Sequence, residues 1–191
     1  MVPELVVGGS KTDYASTATC FVVMPFSVRA AHLSTYGGDP NHWNEVYDGL
    51  IEPAVRKAGL KPERDKDDYS TRLVGDGVWE KIEGADLVLC DLSSHNPNVH
   101  LELGWALRAN KKVVLIKDEA TEFNFDLNQY YTCQYRSSLQ PSVLLADVQM
   151  LSQVIRTTRD GDTTHRSAVA RLQLRDKASE LAMEGDVSVR L

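Results

Sequence analysis

Cysteine is scarce in this chain: three occur among 191 residues, at positions 20, 90 and 133. Each lies in or beside an apolar run and none has metal-ligand spacing. They read as buried thiols, which makes a reducing compartment, the cytoplasm, the expected location. No stretch approaches about eighteen apolar residues, and no basic start leads into an apolar core near the N-terminus, so neither a membrane span nor an export signal is expected. Positive charge is also in short supply. Lys and Arg number 21 against 27 Asp and Glu, a net charge of -6, and the basic residues are scattered. A nucleic-acid partner needs a basic footprint that this distribution denies it, whereas a free nucleotide remains open as a ligand. Three signatures are missing as well: a GxGxxG after the first strand, a Walker-type phosphate loop and a GxSxG elbow. Dehydrogenase and hydrolase readings lose support. His95 and His100 stand near acids without the i, i+4 spacing of zinc proteases, so no metal and no bound cofactor is expected.

What the chain does contain is a normal globular balance, 42% hydrophobic and 25% charged, in a length that suits one domain with a modest appendage. Four runs have strand character: Cys20-Phe-Val-Val-Met-Pro-Phe26, ended by its proline; Leu60 to Arg64; Ala85-Asp-Leu-Val-Leu-Cys90, ending at Asp91; and Lys112-Val-Val-Leu-Ile116. Between them, Trp43, Val46, Tyr47, Leu50, Ile51, Ala54 and Val55 predict a helix over 42–58, closed by Gly59 and kinked at Pro53. A short helix is expected over 76–83 and a third over 97–109. Residues 27–41 hold too many turn formers for a helix and are read as a flap over the site. Phe123 to Leu127 reads as a loop, Thr132 to Tyr135 as a fifth strand, and Val143 to Ile155 as a helix covering one face. Strands separated by single helices imply parallel pairing through right-handed crossovers, hence an α/β fold: a doubly wound, three-layer α/β/α sandwich of about five strands. Residues 1–19 form a lead-in, where Leu5-Val-Val7 could add an edge strand. Residues 20–158 form the domain, and 159–191 a helical extension, over His165 to Met183, that packs late or on a partner subunit.

The strand ends at 26, 64, 91 and 117 would share one edge, where open α/β sheets bind ligands. The most informative stretch there runs from Asp91 to Asn110. Asn96 suits an N-cap and Pro97 the first helical position, and Val99, Leu103, Ala106 and Leu107 form a core-facing stripe. Glu102 borders that stripe, so its carboxylate should lie along the sheet edge. An ordinary surface glutamate favoured by the helix dipole is the competing reading. Asp91 and Glu102 are expected to approach each other across the loop, a pairing that suits sugar chemistry. Breaking an N-glycosidic bond builds positive charge on the sugar, which a carboxylate stabilises or captures at C1′. Glu102 is assigned that role, and Asp91 that of orienting a ribose hydroxyl or assisting proton transfer. Ser93, Asn96 and Asn98 offer donors and acceptors to the substrate, although such residues are more often turn formers and caps. Trp105 and Trp43 read as packing residues.

Phe21-Val-Val-Met-Pro-Phe26, Ala85-Asp-Leu-Val-Leu-Cys-Asp-Leu-Ser93 and Asn96-Pro-Asn-Val-His-Leu-Glu-Leu-Gly104 carry a resemblance. With the later Phe125-Asp-Leu127 and Tyr135, the chain from Cys20 to Tyr135 resembles the nucleoside 2-deoxyribosyltransferase-like and TIR-like superfamily. The resemblance implies a flavodoxin-like sheet and a glutamate, matched by Glu102, acting at the anomeric carbon of a ribosyl or deoxyribosyl group. It also implies substrate contacts at Asp91 and at the end of the first strand, Pro25 and Phe26, with Ser27 beside them. Two branches compete. The Met-Pro-Phe strand end and the long insertion after it resemble bacterial TIR-like proteins, which implies cleavage of the nicotinamide bond of NAD, as substrate rather than cofactor, in antiphage defence. A homo-oligomer and a defence-system effector or sensor would be the partners. The other branch implies a nucleoside 2-deoxyribosyltransferase or nucleotide N-glycoside hydrolase. A non-catalytic nucleotide-sensing or assembly module is the third reading.

Overall fold

The computed structural model describes residues 18–64, 74–122 and 130–161. Leu5-Val-Val7, the acidic tract at 65–68, the loop at 123–127 and the helix expected over 165–183 lie outside the described residues. Five strands are present: β1 (Thr19–Val23), β2 (Lys61–Arg64), β3 (Leu87–Asp91), β4 (Lys112–Asp118) and β5 (Thr132–Tyr135). All pair in parallel in the order β2-β1-β3-β4-β5. That is the doubly wound, flavodoxin-like order expected of a chain alternating between strand and helix. β3, at the centre, is buried along its whole length, which is why its run is continuously apolar up to Asp91. β2, at one edge, is Lys-Pro-Glu-Arg, and charge together with proline suits a strand with one open side.

Alternation along the strands sorts the core into two layers. Cys20, Val22, Leu87, Leu89, Val114 and Ile116 point to one face, where they meet α1 (His42–Val46), α2 (Glu52–Lys57) and α5 (Pro141–Asp160). Phe21, Val23, Val88, Cys90 and Leu115 point to the other, against α3 (Val74–Gly84) and α4 (Pro97–Arg108). Trp43 is fully enclosed in the first layer, in T-shaped contact with Tyr36 and His42. Trp105 packs on the second, edge-on to Trp79 with ring centroids 6.2 Å apart. Cys20, Cys90 and Cys133 are buried free thiols, and burial pushes the Cys20 thiol up to about 12.

Three elements depart from the expectation, each for a local reason. The first strand leaves the ladder at Val23, three residues early, as the chain turns toward Pro25, which has no N–H to offer. Residues 30–36 form a 3-10 segment, ended by Gly37 in the left-handed region at φ 64°. The helix over 42–58 is interrupted, not simply kinked. A π-helical turn at Tyr47–Ile51 joins α1 to α2, with the Glu52 N–H donating to the Tyr47 carbonyl. Pro53 cannot donate to the carbonyl four residues back, and the wider turn just before it accommodates the proline ring. Gly59 does close this helix, at φ 81°. No described helix is long and apolar enough to cross a membrane.

Candidate active site

β1 and β3 are neighbours, yet the chain leaves β1 toward the α1 face and leaves β3 toward the α4 face. Their carboxyl ends therefore flank the topological switch point, the crevice in which such sheets hold ligands. Glu102 stands on the second turn of α4, and its residue is half-buried. Val99, Leu103 and Ala106 anchor the helix in the second core layer, so the glutamate borders that layer. The charge of Glu102 reaches the Cys90 thiol, which burial first and this carboxylate second hold well above the ordinary thiol range.

Asp91 occupies the opposite side. Cys90 belongs to the α4 layer, so the period of two sends Asp91 toward the face of α1 and α5, where Tyr135 also points. Its carboxylate is completely buried. Oδ1 accepts from the Ser93 N–H at 3.0 Å and the Ser93 hydroxyl at 2.6 Å, and Oδ2 accepts from the Tyr135 hydroxyl at 2.8 Å. The Ser93 Oγ accepts in turn from the Asp118 N–H at 2.9 Å. Asp118 extends the network: its carboxylate takes the Tyr36 hydroxyl at 2.7 Å and the Thr121 N–H at 2.7 Å. Burial raises the Asp91 carboxyl to about 6, against the opposing pull of the Ser93 and Tyr135 hydrogen bonds. The neighbouring Asp118 charge pushes in the same direction as burial.

Asp91 and Glu102 stand on opposite faces of β3, and the charges of both act on the Cys90 thiol. Asp91 itself has no exposed surface. Its oxygens are occupied by protein donors, and it holds the β3–α4 loop in shape. Ser93, also fully buried, serves the same network. The loop it fixes is unusual: Ser94 and His95 both have positive φ, at 56° and 48°, and the Ser94 N–H donates to the Thr121 Oγ1 at 2.8 Å. Asn96 is the N-cap, its side-chain oxygen accepting from the Asn98 N–H at 3.0 Å. Asn98 is exposed on the first turn of α4. At the end of β1, Pro25 is buried while Phe26 and Ser27 are exposed, Phe26 to 44%.

Tyr36, Asp118, Thr121 and Arg64 emerge as further residues of this edge. Positions 64 and 117 already fell at strand ends, but nothing local pairs Tyr36 with a carboxylate 82 residues on. Among the described residues no cluster of three metal-ligating side chains occurs. An open depression of about 490 Å³, lined by Glu119, Arg136, Asp147 and Met150 among others, lies beyond Tyr135 between β5 and α5, not beside Glu102.

No protein-family model matches the sequence, and no curated protein matches it. Solved structures do. The chain is similar to the Clostridium botulinum CMP N-glycosidase BcmB, at 18% identity over 66% of this chain and 98% of that one, with a TM-score of 0.40. It is similar also to a 2-deoxyribosyltransferase from the psychrotolerant bacterium Bacillus psychrosaccharolyticus, at 14% identity over 66% and 96% of the two chains, with a TM-score of 0.42. Both are likenesses of chain path, and the chemistry of this edge follows from its own side chains.

Proposed function

We propose that this chain is an N-glycosidase that breaks the nicotinamide–ribose bond of NAD, with Glu102 as the carboxylate acting at the anomeric carbon. The observation that supports NAD most directly is the division of labour between the two acids. A half-buried glutamate stands on α4, the helix that follows β3, while the acid with a raised pKa, Asp91, is sealed inside the protein. Ordinary purine and pyrimidine leaving groups depart with a proton and favour a site with a general acid in reach. Nicotinamide is different. It is bound to the sugar as a pyridinium and leaves as a neutral molecule, taking the electron pair of the glycosidic bond, so no proton donor is needed.

Glu102 then either captures C1′ as an ester or stabilises the oxocarbenium charge through space. Water attacking C1′ and releasing its proton gives ADP-ribose; an internal nucleophile of the same substrate gives a cyclic product. Asp91, Ser93, Tyr135 and Asp118 position the loop from which α4 starts. The resemblance of the β1 end and the β3–α4 segment to TIR-like proteins adds a bacterial antiphage-defence setting and self-assembly to the same reading.

Incubation of the purified protein with NAD, with mass identification of the products, tests the proposal. Nicotinamide with ADP-ribose or its cyclic form supports it. Exchange of bases between deoxynucleosides, with NAD untouched, replaces it with the transferase reading. Nucleotide binding without turnover, in dilute and concentrated protein alike, replaces it with a sensing module.

A further inference from the structure

At the end of β2, Arg64 is built into the same edge. Its guanidinium carbon lies 5.3 Å from the centre of the Phe26 ring and 5.1 Å from that of Tyr47, so two aromatic residues hold it. Nη1 donates to the Asn44 Oδ1 at 3.0 Å, and Nη2 lies 3.5 Å from the Pro25 carbonyl oxygen. Phe26 and Pro25 come from the end of β1, Asn44 from α1 and Tyr47 from the π-helical turn, so three elements meet on one cation at the switch point. An arginine fixed in this way has already lost most of its rotamer freedom, so exchanging the Asn44 and Pro25 oxygens for those of a phosphate adds little ordering cost, and its planar fork suits two phosphate oxygens.

The surroundings make such a cation necessary for an anionic substrate. Asp91, Glu102 and Asp118 come from this one edge of a chain with net charge -6. Lys117, the other basic residue that the strand ends carry, is buried and donates to the backbone carbonyls of Asp118 and Thr121. Arg64 is half-buried and packs against the exposed Phe26 ring. β2 and β3 lie two strand spacings apart, about 10 Å, and Arg64 meets α1 and the π-helical turn while Glu102 stands on α4, so a ligand touching both must cross the end of β1 from one face of the sheet to the other. A nucleoside is too short to do so comfortably, whereas the diphosphate of a dinucleotide supplies both the length and the charge.

We propose that Arg64 is the anion-recognition residue of this site, taking the diphosphate of a dinucleotide whose anomeric carbon meets Glu102. This rests on the N-glycosidase reading of the same edge, and the experiment separates the two. Nicotinamide riboside carries the same scissile bond as NAD without phosphate. For Arg64→Gln, KM for NAD should rise roughly tenfold or more with kcat little changed, while kcat/KM for nicotinamide riboside stays within about twofold of wild type. Arg64→Lys, which keeps the charge without the fork, should fall between. Arg56→Gln, which removes an equal charge from the exposed end of α2, should leave both substrates unaffected.

A second arm does not depend on turnover. Binding of ADP-ribose to Glu102→Gln, measured by calorimetry at a temperature where both variants are folded, should weaken about tenfold when Arg64→Gln is added. Loss of both substrates alike, no change in KM for NAD, or equal ADP-ribose affinity with and without Arg64 would overturn the assignment. If wild-type protein cleaves neither substrate but the calorimetric difference holds, the cleavage reading fails and Arg64 stands as the anion site of a binding protein.

Discussion

The two sides of β3 at its carboxyl end treat an acid in opposite ways. Toward α1 and α5, Asp91 is enclosed with Ser93, Tyr135, Asp118 and Tyr36, and both of its oxygens are matched by protein donors. Toward α4, Glu102 is half-buried and borders an apolar layer. Buried carboxylates with charge-assisted bonds are costly to disturb, because each abandoned partner loses about 1–3 kcal/mol of solvation that nothing replaces. A glutamate at the margin is partly exposed and so within a ligand's reach. One side is a frame; the other holds the acid that solvent partly reaches.

Removing the acid from each side should separate these roles. The largest effect is expected at Glu102. Glu102→Gln should lower nicotinamide release from NAD by about a thousandfold, about 4 kcal/mol of barrier, with a melting temperature within about 2 °C of wild type. A variant that keeps wild-type turnover would break the comparison at its functional end.

Asp91 should instead report through stability and pH. Its folded-state pKa of about 6 lies above the ordinary value of 3.8, so between these limits the folded protein holds a proton that the unfolded chain has released. Stability contributed by that proton is complete below about pH 4, declines as pH rises toward 6, and is gone above it. At 1.36 kcal/mol per unit, the contribution is about 3 kcal/mol at most. Urea denaturation of wild type and Asp91→Asn at intervals from pH 4 to 7 should show the decline in the wild type only. Parallel curves would mean that Asp91 is ionised throughout and that water reaches this face.

The division also marks what could be seen in the sequence. The strand, cap and stripe from Leu87 to Arg108 are local: a continuous apolar run, Asn96 before Pro97, and Val99, Leu103 and Ala106 one helical face apart. The crossover order follows from alternation of such segments. What could not be read is long-range. Tyr36 meets Asp118 across 82 residues and Tyr135 meets Asp91 across 44, and no periodicity encodes either bond. Asp91 and Glu102 look like a pair because the loop between them is short, but the alternation of β3 places Cys90, not Asp91, on the glutamate's side. The π-helical turn before Pro53 was visible only as a defect, since proline signals that a hydrogen bond is missing without saying how the chain absorbs the loss.

The smallest expected effect concerns the junction of the two sides. Asn96 follows the frame and starts the helix that carries Glu102, with its Oδ1 on the Asn98 N–H and its carbonyl receiving the His100 N–H at 3.2 Å. Asn96→Ala removes the side-chain cap and keeps the carbonyl, so a loss of about 1 kcal/mol in stability is expected. Glu102 lies almost two turns on, and Val99, Leu103 and Ala106 fix the helix body independently of its first N–H. Turnover should therefore fall less than about threefold, as the cap is worth little beyond the first turn. A loss of tenfold or more in kcat/KM at unchanged stability would mean that the Asn96 amide leaves its cap to meet the substrate, and the frame and the working face would then share a residue.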